Sequence, residues 1–189
     1  MSALTNPTTR ITTGRFKGRT LILPNDAAVR PTRERVRQAV FNMLGSRLDW
    51  HGLTVADICC GSGAWGLEAL SRGAAQVWLV DTDTRTARAN VAALGLTEAM
   101  GVHIVQAEVR TWQPPAVLDV VLADPPYGTP LCTNLLQRAA QLGAPASWWA
   151  LENGSDEALV WPETFTNLAE KVYGTSKINI GQFFPPARG

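Results

Sequence analysis

Leu118-Asp119-Val120-Val121-Leu122-Ala123-Asp124-Pro125-Pro126-Tyr127 is the stretch whose reading decides the fold. An apolar run stops abruptly at an acid, two prolines and an aromatic ring. The run predicts a buried strand, and the prolines end it: neither has an N–H for a ladder, and each biases the residue before it away from helix. Asp124 is therefore expected at the carboxyl end of a sheet, where open α/β sheets bind their ligands. An acid, the carbonyl of Pro125 and the flat ring of Tyr127 form a holder for a planar group bearing an amine. The competing reading is a Pro-rich surface turn, since Asp-Pro is a common turn starter.

Upstream, Leu53 to Cys60 reads as a strand that turns through Gly61-Ser62-Gly63-Ala64-Trp65-Gly66 into a helix. Gly61 and Gly63 let backbone approach a ligand closely, and the new helix presents free N–H groups. The G-x-G-x-x-G spacing also suits a dinucleotide site. Twenty residues after Gly61, Asp81 ends a second apolar strand, Gln76 to Val80, where such an acid accepts the hydrogens of a ribose diol. Asp57 separates the readings. A carboxylate four residues before the glycine turn repels a diphosphate but suits a cationic cofactor without phosphates. S-adenosylmethionine, with its ammonium and sulfonium groups, ribose and adenine, is such a cofactor. Glu108 follows a third strand, Val102 to Val105, placed to accept the exocyclic N–H of adenine while the Val109 N–H donates to the ring. Ser62, Gly66 and Thr82 complete the expected cofactor contacts.

With 189 residues and 46% hydrophobic content, the chain can bury one substantial core. Residues 1–50 are expected to form a basic extension and residues 51–189 the main domain. No apolar run has the length of a membrane span and the polar opening lacks the layout of a signal peptide, so a cytoplasmic protein is expected. Three cysteines without C-x-x-C or Cys/His spacing suggest neither a metal nor a disulfide framework. The net charge of +1 hides an asymmetry: residues 1–50 hold nine Lys/Arg against three acids. Arginine dominates, and it binds phosphate bidentately and stacks on bases, so a nucleic-acid contact is one reading and a solvated basic face the other.

Within that extension, Arg10 to Pro24 alternates polar and apolar residues around Gly14 and Gly18, which predicts a hairpin carrying Arg10, Arg15, Lys17 and Arg19. Arg30-Pro31-Thr32 predicts a helix entry with Thr32 as N-cap, a stripe of Val36, Val40, Phe41 and Leu44, a stop at Gly45, and Arg33, Arg35 and Arg37 decorating the outside. Later segments predict a helix over Asp83 to Leu96, another from Leu131 to Leu142, a strand at Ser147 to Leu151 and two strands at Glu170 to Val172 and Ile178 to Phe184. The alternation predicts an α/β fold with a mostly parallel central sheet ending in an antiparallel pair.

Asp57, the glycine loop, Asp81, Glu108 and Asp124-Pro125-Pro126-Tyr127, in this order, resemble S-adenosylmethionine-dependent amino-methyltransferases. More narrowly, three sets of residues resemble the bacterial 16S rRNA guanine-N2 methyltransferase family, RsmD. They are Arg10-Ile11 with Gly14 and Gly18-Arg19, then Arg30-Pro31-Thr32 with Arg35-Val36-Arg37 and Phe41-Asn42-Met43-Leu44, then Gly61-Ser62-Gly63 with Gly66-Leu67-Glu68-Ala69-Leu70-Ser71-Arg72-Gly73-Ala74. The likeness covers Arg10 to Tyr127 and continues weakly to Lys171–Gly174; Trp65 departs from the Leu or Ala usual there. It implies a Rossmann-like class I methyltransferase fold and methyl transfer to a guanine of 16S rRNA, within an assembling 30S subunit, without metal or membrane. Asp124, Pro125, Pro126 and Tyr127 would be catalytic, and Arg10, Arg15, Lys17, Arg19, Arg30, Thr32, Arg33 and Arg35 would grip RNA. A DNA adenine-N6 or cytosine-N4 methyltransferase, a dinucleotide oxidoreductase and a non-catalytic rRNA-binding assembly factor remain the rival readings.

Overall fold

A computed structural model describes the backbone of residues 7–24 and 31–186 and the side chains of 7–24 and 34–186. Arg30 and the side chains of Thr32 and Arg33 lie outside the described residues. The chain opens with an antiparallel pair, β1 (Thr8–Arg10) and β2 (Thr20–Ile22), followed by α1 (Pro31–Gly45). Alternating elements follow: β3 (Thr54–Ile58), α2 (Ala64–Arg72), β4 (Gln76–Asp81), α3 (Arg85–Ala93), β5 (Val102–Gln106), β6 (Leu118–Ala123), α4 (Leu131–Gln137), α5 (Ala139–Leu142), β7 (Gly143–Gly154), β8 (Phe165–Tyr173) and β9 (Ser176–Phe183). The seven-stranded sheet has the order β5-β4-β3-β6-β7-β9-β8. Strands β3 to β7 run parallel, and β9 lies antiparallel between β7 and β8. The mostly parallel sheet with its antiparallel end is the expected Rossmann-like architecture.

Each face of the sheet carries one apolar layer. On one face Val55, Leu79, Leu122 and Ile180 pack with Leu67 of α2 and Val91 of α3; on the other Ile58, Val121 and Leu151 pack with Leu135, Trp149 and Phe183. Alternation along the strands sorts these residues, because successive side chains point to opposite faces. The N-terminal segment shares the first layer: Ile11 and Leu21 of the arm join Val36, Val40, Phe41 and Leu44 of α1 in it. Among the described residues no helix is long and apolar enough to cross a membrane.

Several boundaries differ from the sequence reading for local reasons. Helix α1 already includes Pro31, so Thr32 lies inside the first turn and does not cap it; proline suits that place because no intrahelical partner awaits its N–H. Of the arginines expected outside, Arg35 is exposed but Arg37 is buried. Helix α3 starts late because Asp83 folds back to accept the Arg85 N–H at 3.1 Å, and it ends where Gly95 takes φ +70°. The helix expected over 131–142 breaks at Arg138, whose guanidinium donates to the carbonyls of Val109 at 2.9 Å and Trp112 at 2.5 Å. Strand β7 reaches Gly154, three residues past the expected end at Leu151, because its antiparallel partner β9 pairs it as far as Ser176.

Candidate active site

The register of the parallel strands assembles the site. Ala123 of β6 lies beside Leu151 of β7, so the next residues, Asp124 and Glu152, emerge side by side at the carboxyl ends of neighbouring strands. Both keep the alternation of Leu122 and Ala150, whose face is the one Asp57 of β3 shares with Val55. The carboxyls of Asp57, Asp81, Glu108, Asp124 and Glu152 all line one cavity of about 880 Å3.

The glycine turn does three different jobs. Cys59 takes φ +59° and Gly61 φ +51°, and the Gly61 N–H donates to Asp81 Oδ2 at 2.8 Å, which ties the turn to the end of β4. Gly63 and Gly66 do not line the cavity; they let α2 approach the sheet. A Cβ on Gly66 would overlap Leu79 Cδ2 and stand 2.8 Å from Val77 Cγ1. That close approach brings the Gly66 N–H to Asp57 Oδ2 at 2.8 Å. Asn90 of α3 completes the scaffold, accepting the Ile22 N–H at 2.8 Å and donating to the carbonyls of Ile22 and Ser62, each at 2.9 Å.

Asp57 is 2% exposed. Burial first, and then the charges of Asp124 and Asp81, push its carboxyl well above the usual range, against the pull of the Gly66 N–H and Arg37. A cationic ligand group beside it offsets that penalty. The sign for stability follows from linkage: a carboxyl held high in the fold contributes stability fully present below its unfolded value of about 3.9 and lost as pH rises through the folded value. Asp57→Asn is therefore expected to flatten the decline of cofactor-free melting temperature above about pH 4 relative to the unsubstituted protein. Thermal melts of both proteins across pH, without ligand, check this; parallel profiles would count against it.

The sequence-predicted residues are distributed as follows. Asp124, half-buried, with Pro125, Pro126 and Tyr127, lines the cavity, as do Asp57, Gly61, Ser62, Asp81, Thr82, Glu108 and Val109. Glu108 stands at the rim, its Oε1 accepting from Arg110 Nε at 3.1 Å, a contact that holds its carboxyl below the usual range. Arg10, Arg15, Lys17, Arg19 and Arg35 are exposed and lie away from the cavity lining, on the arm and α1. Burial pushes the thiols of Cys59 and Cys132 up to about 12 and that of Cys60 higher still, which disfavours the thiolate form of all three. Among the described residues no group of three or more His, Cys, Asp or Glu is arranged to hold a metal.

Residues 9–182 match the family described as Conserved hypothetical protein 95. A Ribosomal RNA small subunit methyltransferase D of Escherichia coli (strain K12) is 32% identical over 162 residues, which cover 82% of this chain and 74% of the relative. The chain belongs to this RsmD methyltransferase family. A second relative of the same name, from Haemophilus influenzae, is 32% identical over 185 residues, or 92% of this chain and 93% of its own. Among solved structures, a putative methyltransferase from E. coli superposes with a TM-score of 0.80 at 28% identity, covering 94% of this chain and 99% of that one.

Within this RsmD-family fold, Arg37, Glu152 and Ser176 are among the cavity residues that escape the sequence reading. Arg37 turns inward from α1 and donates through Nη2 to Thr9 Oγ1 at 3.1 Å and to the Arg10 carbonyl at 2.5 Å. Glu152 is 2% exposed and its Oε1 accepts the Tyr127 hydroxyl at 2.7 Å. Ser176 Oγ lies 2.6 Å from the same hydroxyl, so Tyr127 is held at its tip while its ring stays 42% exposed. Glu152 did have a signal: an acid directly after the apolar run Trp148 to Leu151 repeats the pattern of Asp124 after Leu118 to Ala123.

Proposed function

We propose that the chain transfers the methyl of S-adenosylmethionine to the exocyclic N2 amine of a guanine in small-subunit (16S) rRNA. The observation that carries the reading is the shared cavity: Asp57, whose buried carboxyl suits an ammonium, and Asp124-Pro125-Pro126-Tyr127 face the same space. Asp81 and Glu108 suit a ribose diol and an adenine amine, in the order the glycine turn leads. S-adenosylmethionine supplies, when bound, an electrophilic methyl group. A guanine amine is a poor nucleophile because its lone pair is delocalised into the ring. The Asp124 carboxylate and the Pro125 carbonyl accept its two hydrogens, which localises the lone pair toward the methyl, and Tyr127 stacks on the extruded base with its ring fixed by Glu152 and Ser176.

The names of the relatives support ribosomal RNA as substrate class, and the exposed Arg15, Lys17 and Arg19 on the arm support phosphate contact. Incubation with labelled S-adenosylmethionine and small subunits lacking the modification, followed by mapping of the label, tests the reading. Label on a guanine of 16S rRNA is expected. Label on duplex DNA instead would favour a DNA amino-methyltransferase, and RNA binding without released S-adenosylhomocysteine would favour an assembly factor. Neutralising Arg15, Lys17 and Arg19 together is expected to reduce the slope of log affinity for RNA against log salt by roughly two to three. An unchanged slope would take the arm out of phosphate binding.

A further inference from the structure

Glu152 is a buried acid that the proposed chemistry uses only as an anchor for a tyrosine. Its Oε1 takes the Tyr127 hydroxyl, and the side chain lines the cavity. Register sets it beside Asp124 on the next strand, at a spacing of roughly 4.8 Å and on the same face. Two carboxyls side by side make an edge with acceptors only, once both are ionised. Among the amine-bearing bases, guanine presents the matching edge: its ring N1–H and its 2-amino group are adjacent donors. Adenine and cytosine place an unprotonated ring nitrogen, an acceptor, next to the amine, and a second carboxylate there meets a lone pair.

We propose that Glu152 selects guanine by accepting the ring N1–H while Asp124 holds the 2-amino group, so that base identity is read by the pair of carboxylates. The inference rests on the guanine-N2 reading of the site. Tyr127 links the two tasks, because the contact that fixes its ring also fixes the Glu152 carboxylate, and Ser176 braces the hydroxyl from the other side. Such a reader excludes bases by mismatch as well as by lost attraction, since a buried carboxylate facing a lone pair leaves both groups unsatisfied.

The test uses 16S rRNA ligated around a synthetic segment and reconstituted into small subunits, with either guanine or 2-aminopurine at the position the label mapping identifies. 2-Aminopurine keeps the reactive amine but has an acceptor at N1. Single-turnover methyl transfer by the unsubstituted enzyme is expected to be roughly ten- to hundredfold faster on guanine. Glu152→Gln keeps an oxygen for Tyr127 and offers an amide N–H to the base, so the ratio is expected to collapse or invert. Tyr127→Phe frees the Glu152 carboxylate as well as the ring, so it is expected to slow both substrates and to narrow the ratio between them. Equal rates of the unsubstituted enzyme on the two substrates would overturn the proposal without recourse to any variant. So would an equal loss on both substrates in Glu152→Gln with cofactor affinity retained, which would leave Glu152 a tyrosine anchor. Absence of guanine methylation by the unsubstituted enzyme would instead remove the parent reading, and this one with it.

Discussion

Asp124→Ala is expected to lower the methyl-transfer rate by roughly two or more powers of ten while leaving cofactor affinity nearly intact. The separation follows from geometry. Asp124 emerges from β6 beside Glu152, whereas the groups suited to the cofactor hang from β3, the glycine turn and β4. Removing the carboxylate deletes the acceptor proposed for the amine hydrogen and leaves the Gly61–Asp81 and Gly66–Asp57 contacts in place. One effect works in the opposite direction: the charge of Asp124 raises the Asp57 carboxyl, so its loss eases ionisation of Asp57 and favours a cationic ligand. Cofactor binding in Asp124→Ala is thus expected to be equal to or tighter than in the unsubstituted protein. Titration calorimetry and single-turnover transfer, measured separately, check both halves. Lost affinity with an unchanged rate of the bound complex would sink the role given to Asp124.

How much of this was legible in the chain depends on the range of the interactions. Asp124, Asp81 and the glycine turn follow from local rules, because prolines end strands and positive-φ glycines open turns wherever they stand. The inward turn of Arg37 was also legible in principle. It stands four residues before Phe41 and seven before Leu44, so helical period puts it on the apolar stripe, whereas Arg35 falls off it. Residue charge had suggested the outside for both. Gly63 and Gly66 read as ligand-contact glycines, yet they face Leu79 across the helix–sheet interface, a distinction that spacing alone does not encode. The full length of β7 was hidden because it depends on pairing with β9, and no local signal at Glu152 or Asn153 reports that partner.

Glu68 is the case with the largest structural consequence. It stands in the middle of α2, reads there as one more helix-forming acid, and is fully buried. Its Oε2 accepts the Thr12 N–H at 2.8 Å, and its Oε1 accepts the Thr12 hydroxyl at 2.6 Å and Arg72 Nε at 3.0 Å. Three turns of contact follow in the same joint: Ser71 Oγ accepts the Phe16 N–H at 2.9 Å, the Ser71 carbonyl accepts the Arg15 N–H at 2.8 Å, and a Cβ on Gly14 would overlap that carbonyl oxygen. Glu68→Ala leaves a backbone N–H and a guanidinium at a part-buried joint without their carboxylate acceptor. The expected cost is about 3–5 kcal/mol, the range for breaking a buried pair from one side, and a fall in Tm of roughly 6–20 °C for a chain of this length. Because the arm bears Arg15, Lys17 and Arg19 and is joined through Asn90 to the Ser62 carbonyl of the glycine turn, its release is expected to reach the site as well. Amide exchange at Thr12 and Arg15 is expected to accelerate more than at β3 in the same variant. Glu68→Gln, which keeps an acceptor for Thr12 but loses the charge facing Arg72, is expected to fall between the two. If melting and exchange in Glu68→Ala matched the unsubstituted protein, the arm would be held by its apolar contacts through Ile11 and Leu21 and its hydrogen bonds to Ser71 and Asn90, and the ion pair with Arg72 would be incidental to the joint.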